Sequence, residues 1–123
     1  MSTFGLYREI SDFEANLYRQ EEPSALVRFL GMRIKKGEIE ISTYNDGHKK
    51  IEVELEGVEV PNGSTVTAII DGAPTCEVQV NHGKARVKQR TTDGIEIPEV
   101  SRGSVAEIHY QGEIILSGTF KPD

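Results

Sequence analysis

Three histidines, one cysteine and a file of alternating basic residues are the side chains here with most scope for chemistry. His48 and His82 fall in Asn/Asp/Gly-rich stretches that read as turns, and His109 follows Glu107 in an alternating run. A local metal site needs imidazoles at i, i+4 on a helix or i, i+2 on a strand, and no histidine pair has either spacing. Lys84, Arg86, Lys88 and Arg90 recur at i, i+2, so on a strand all four leave one face while Ala85 and Val87 take the other. Such a stripe suits an anionic partner. Its structural reading is a solvated face, matched to the acidic row Glu52, Glu54 and Glu56 and contributing ~0.2–1 kcal/mol per cross-strand pair. A row of like charge also guards an edge strand against pairing with other molecules.

Other reactive arrangements are missing from the sequence. There is no Gly-x-Ser-x-Gly elbow, and Ser104 and Ser117-Gly118 read as ordinary turn or strand-end residues. Cys76, at the start of an expected strand, reads as a small core residue rather than a reactive thiol. Asp46, Asp71 and Asp93 each lie beside a glycine as turn residues do, and none begins the spaced oxygen series of a calcium loop. No phosphate-cradling glycine loop occurs. With no tryptophan and with Tyr7, Tyr18, Tyr44 and Tyr110 scattered, there is no aromatic platform for a glycan. No catalytic, cofactor-binding or metal-ligating residue is assigned. The interior is expected to be apolar, with His109 beside Glu107 on a strand face and with His48, His82 and His109 not gathered with acidic side chains around one pocket.

The elements that must position these residues are strands. Residues 49–57 alternate without a break, placing Ile51, Val53 and Leu55 on one face and Lys50, Glu52, Glu54 and Glu56 on the other. The same pattern predicts strands over 37–42, 65–70, 76–80, 84–90, 95–98, 105–110 and 113–120. Turn signals such as Asn45-Asp46-Gly47, Asp71-Gly72 and Gln111-Gly112 punctuate them roughly every 8 to 12 residues, as in a sandwich or barrel. Lys35-Lys36-Gly37 reads as a hairpin turn, with Gly37 at positive φ, joining 37–42 to an earlier strand over 24–34. That earlier stretch also fits a helix gathering Leu26, Val27, Leu30 and Ile34, but Gly31 and the immediate return of alternation favour a strand. Residues 11–19 fit a short helix capped by Ser11 or Asp12, or a strand with Phe13, Ala15 and Leu17 on one face; the strand is preferred. Pro23 ends that segment. The expected organisation is a docking or assembly arm over 1–23 and a β-sandwich domain over 24–123. The expected fold is all-β, an antiparallel sandwich of immunoglobulin-like or Greek-key type with about eight strands.

Length and composition set the outer bounds. At 123 residues the chain is one domain by size. A net charge of −6 argues against binding a phosphate backbone or an anionic membrane. A lone cysteine leaves no internal disulfide and no Cys-based zinc site. No stretch approaches the roughly 20 apolar residues of a membrane span. The first residues lack a basic start followed by an apolar run, so the expected location is the cytoplasm, or outside the cell for a processed form.

From residue 37 to about 120 the chain resembles a small β-sandwich module of uncharacterised bacterial proteins. The likeness is carried by residues 50–58, Pro61-Asn62-Gly63, Ile70-Asp71-Gly72, Asn81-His82-Gly83-Lys84-Ala85, Thr92-Asp93-Gly94, Ile97-Pro98-Glu99-Val100 and Gly103-Ser104. Its most specific piece is the ending Ile115-Leu116-Ser117-Gly118-Thr119-Phe120. The resemblance implies a sandwich fold and brings no catalytic residues with it.

The function expected from these features is non-enzymatic. The leading reading is a structural or protein-interaction module with no cofactor, meeting a protein partner or a second copy of itself. Its contact residues would be Phe4, Leu6, Tyr7, Ile10 and Phe13, or the stripe Lys84, Arg86, Lys88 and Arg90. The alternative is a module that binds a small molecule or glycan through loops gathered at one end, drawn from Asn45-Asp46-Gly47-His48, Asp71-Gly72 and Asn81-His82-Gly83.

Overall fold

The computed structural model describes residues 8–19 and 36–123. They form β1 (Glu9–Arg19), β2 (Lys36–Tyr44), β3 (Lys49–Glu56), β4 (Thr65–Ile70), β5 (Ala73–Gln79), β6 (Lys84–Arg90), β7 (Val105–Tyr110) and β8 (Glu113–Pro122). All neighbours are antiparallel, in the order β5-β4-β7-β8-β1-β2-β3-β6. Alternation is obeyed wherever it is strong: Ile51, Val53 and Leu55 are buried while Glu54 and Glu56 are exposed. With Ile39, Ile41, Ile108, Leu116 and Phe120 they make one apolar core.

The chain is all-β, but its strands form one nearly closed, barrel-like sheet rather than the two facing sheets of the expected sandwich. The reason lies in β8 and β1. β8 pairs with β7 from Val105↔Thr119 to Tyr110↔Glu113 and with β1 from Phe13↔Pro122 to Arg19↔Leu116. Hydrogen bonds therefore cross what would be the gap between two layers. The two edges of the sheet, β5 and β6, are consecutive in the chain and meet at the turn over 80–83. There Val80 N donates to Ser64 O and Val58 N to Gly83 O, so the β3–β4 connection pins the closure.

Two glycines mark close approaches. A Cβ on Gly118 would overlap the carbonyl oxygen of Asn16, because β1 runs directly against β8 there. Gly37 is a correction to the sequence reading. It is no hairpin turn at positive φ but a buried residue inside β2, where a Cβ would sit 2.8 Å from Leu116 Cδ1. Alternation and a turn signal compete at Lys-Gly, and packing against Leu17, Leu55 and Leu116 decides between them. Residues 24–34, the expected preceding strand, lie outside the described residues.

Residues 9–19 form a strand, as preferred, with Ala15 and Leu17 buried and Phe13 packed on the core. Between Glu9 and Ser11 the register with β2 shifts, and the extra residue, Ile10, turns outward and is 61% exposed. Residues 95–98 are not the expected strand. Pro98 has no N–H for a ladder, and the segment instead buries Ile97 and packs Ile95 against the core.

Candidate functional site

The site is built from the β2–β3 turn upward. Asp46 Oδ1 accepts the amide of His48 at 3.1 Å, and Gly47, at φ 92°, donates to Tyr44 O at 2.9 Å. This tight reversal lays His48 beside Tyr44, with ring centroids 4.4 Å apart and planes within 3° of parallel. The ring nitrogen Nδ1 of His48 also hydrogen-bonds Asp46 Oδ1.

The other wall comes from β6, which the register Lys50↔Arg90 brings alongside β3. Arg90 Nη1 lies 3.0 Å from His48 Nε2. A guanidinium has no lone pair to offer, so Arg90 donates, Nε2 accepts, and the imidazole proton sits on Nδ1 facing Asp46. The guanidinium carbon is 5.3 Å from the centre of the Tyr44 ring and Lys50 Nζ is 5.9 Å from it, both within cation–π range. The end of β6 is itself anchored. Arg90 N donates to Asp93 Oδ2 at 2.8 Å, Lys49 N donates to Thr91 Oγ1 at 3.1 Å, and Thr91–Asp93 forms a 3-10 turn closed by Gly94. Tyr44, Asp46, His48, Arg90 and Thr92 together line an open cleft of about 460 Å³.

The charges in and beside this cleft are unevenly matched. Desolvation works to raise the Asp46 pKa, but the hydrogen bonds from the ring and amide of His48 outweigh it and hold the carboxyl below its ordinary value. Desolvation likewise opposes the charged forms of Lys50 and Glu52. Their 3.0 Å ion pair prevails, shifting Lys50 up and Glu52 down. Arg90 makes no ion pair among the described residues, and its only hydrogen bond from the guanidinium there is the one to His48. The imidazole is thus held, with its Nε2 lone pair engaged. What the arrangement offers a ligand is a fixed guanidinium fork, two stacked rings and the Thr92 side chain.

On the same outer face, β1, β2 and β3 carry an acidic block. Glu14 stands opposite Glu40, Glu40 opposite Glu52, and Glu38 opposite Glu54. Burial first, then repulsion from Glu9 and Asp123, pushes the Asp12 carboxyl up to about 6. Burial and the charges of Asp12 and Glu52 push Glu40 up to about 7, and burial with Glu38 raises Glu14. Carboxylate oxygens of Asp12, Glu40 and Asp123 lie within 4.8 Å of one another, as do those of Glu14, Glu38 and Glu40, a donor set of the kind hard cations use.

The expectation that no histidine is gathered with an acidic side chain at a pocket fails at His48. Asp46 holds it at a cleft, because a turn that places its Asp two residues before a His brings the two side chains together. His109 lies beside Glu107 on β7, as expected, at 3.2 Å. His82 remains in its turn, its amide donating to Asn62 Oδ1 at 3.0 Å. The loops expected to gather at one end are divided. Residues 45–48 lie at the Lys50↔Arg90 end of β3 and β6, whereas Asn81-His82-Gly83 lies at the Glu56↔Lys84 end. Asp71-Gly72 lies toward the first end, since the residues after it, Ala73 to Thr75, share a second, more apolar cleft with Thr91 and Ile95.

The basic stripe is placed as the spacing predicts, directly opposite the acidic row. Glu52 pairs in register with Lys88, Glu54 with Arg86 and Glu56 with Lys84. Only Lys88–Glu52, at 3.5 Å, closes to an ion pair, and Lys84 and Arg86 have none among the described residues. Ile10 and Phe13 belong to β1; Phe4, Leu6 and Tyr7 lie outside the described residues. Cys76 is buried, and desolvation pushes its thiol up to about 11, an inert core residue. Asp71 and Asp93 act as turn residues, accepting the Val105 and Arg90 amides at 2.8 Å each. The sequence singled out His48 and Arg90 but not their junction. Tyr44 and His48 flanking a three-residue reversal is the local signal for the ring stack, whereas the approach of Arg90 depends on β3–β6 pairing across 42 positions.

No protein-family model matches the chain, and no curated protein matches it in sequence. Among the described residues no helix is long and apolar enough to cross a membrane.

Proposed function

We propose that this chain is a non-enzymatic binding module whose ligand site is the cleft between the β2–β3 turn and the end of β6. The observation that supports it is the chain of contacts from Asp46 to His48 to Arg90 beneath the stacked Tyr44 ring. It spends the imidazole's one free lone pair on orienting a cation, where a general base would keep that lone pair for substrate. The likeness to the bacterial module supplies no site residues, so the reading stands on this cleft. The test is a titration followed by two-dimensional NMR, using ring-bearing acids, their neutral amides and methyl glycosides. Saturable shifts confined to residues 44–50 and 88–93 support the reading, and shifts from none of the probes end it.

A second reading has its own observation. Acidic strands β1–β3 and the basic edge strand β6 lie side by side on one outer face, with Lys84 and Arg86 left without ion pairs among the described residues. We propose that this face meets a protein of complementary charge pattern, which a second copy of the chain provides. Association that weakens as salt rises supports it, and a salt-independent monomer removes it.

A further inference from the structure

Resting on the cleft reading above, we infer that the ligand carries a carboxylate or phosphate oxyanion on a ring-bearing body, and that Arg90 receives the oxyanion. Arginine on an exposed strand is ordinarily a loose side chain that loses rotamer entropy whenever it binds. Arg90 is restrained on three sides before any ligand arrives. His48 Nε2 takes one N–H at 3.0 Å, the Tyr44 ring lies under the guanidinium at 5.3 Å, and Asp93 holds its backbone amide at 2.8 Å. Asp46 and His48 are positioning residues in this scheme. Asp46 keeps the proton on Nδ1, which leaves Nε2 able to accept from Arg90.

The pairing of the charged groups, not their sum, selects the sign of the ligand. Asp46 is occupied by the ring and amide of His48, and Lys50 is paired with Glu52. Arg90 is the cation at the cleft without an ion pair among the described residues, and four of its five guanidinium N–H bonds have no acceptor there. A fork with two parallel free donors matches the two oxygens of a carboxylate or phosphate, a charge-assisted pair stronger than a neutral hydrogen bond. The rings of Tyr44 and His48 and the volume of about 460 Å³ leave room for an organic body beside the anion. Phosphate borne on a nucleic-acid backbone is disfavoured by the net charge of −6.

The experiment titrates the full chain with sodium benzoate, phenyl phosphate and benzamide, following amide and ring signals by NMR. Benzoate or phenyl phosphate should shift Tyr44, His48 and Arg90 saturably and bind about tenfold or more tighter than benzamide, the difference a charge-assisted bond supplies. Arg90→Gln should erase that preference, and Arg90→Lys, which keeps the charge but not the fork, should retain only part of it. His48→Gln, which removes one of the stacked rings as well as the Nε2 acceptor, tests the positioning role separately and should lower benzoate binding by a larger factor than benzamide binding. Unchanged signals from the core strands in each variant show that the fold is intact. Equal binding of benzoate and benzamide, or an anion preference unaltered in Arg90→Gln, overturns the inference but leaves the cleft a ligand site. Binding of none of the three overturns the inference, and the cleft reading falls with it when methyl glycosides also leave residues 44–50 and 88–93 unshifted.

Discussion

At the scale of single residues, Asp46 does two jobs with one oxygen. It closes the β2–β3 turn through the His48 amide and fixes the His48 ring through Nδ1. Asp46→Ala should therefore separate the stacked rings, read as loss of the ring-current shifts of Tyr44 and His48. Unmoved ring signals would show that the stack stands without the carboxylate. Gly118 is the opposite case, a residue whose role is to have no side chain. Because a Cβ there would overlap Asn16 O, Gly118→Ala must push β1 off β8 and should destabilise the protein by about 1–3 kcal/mol or more in denaturant unfolding. A variant as stable as the parent would mean that β1 can yield. The Leu-Ser-Gly-Thr-Phe ending stands out in the sequence, and the requirement at its glycine is visible only once β1 is placed beside it.

At the scale of elements, β1 and β2 hold like charges in register, which a sheet ordinarily avoids. Asp12, Glu14 and Glu40 have pKa values raised on folding, so the folded chain binds protons that the unfolded chain has released. Their contribution to stability is present below the ordinary carboxylate pKa and is lost as pH rises through about 6 for Asp12 and about 7 for Glu40. Asp46 and Glu52 act in the opposite sense, contributing above the ordinary carboxylate range and losing that contribution in acid. The melting temperature should thus fall between pH 5.5 and pH 8, by a few degrees after solvent screening of these part-exposed groups. Glu40→Gln should raise it at pH 8 and flatten the slope. A parent protein that grows more stable over that interval would contradict this account of the acidic block.

At the scale of the whole molecule, the segment expected to act as an arm contains a central strand. β1 lies between β8 and β2, so a chain shortened to begin near Ser24 loses the partner of both. It should fail to give a dispersed NMR spectrum or a cooperative melt, and a cooperatively folding product would show that β2 can pair with β8 directly. Size-exclusion chromatography with light scattering of the full chain at low and high salt addresses the charged face. Self-association at low salt that disappears at high salt is the expected outcome, and an Arg86→Glu variant should abolish it at low salt.

Alternation and turn chemistry by themselves determined most of the strands, which side chains face inward on β1, β3 and β6, and the opposition of basic and acidic rows, because these depend on a two-residue period and on neighbours in the chain. Tertiary structure alone decided that β8 is shared between β7 and β1, which closes the sheet into a barrel-like form. It also decided that Gly37 packs rather than turns, and that Arg90 reaches His48. Each of these rests on contacts between strands far apart in sequence, and no local pattern encodes which distant backbone will arrive alongside.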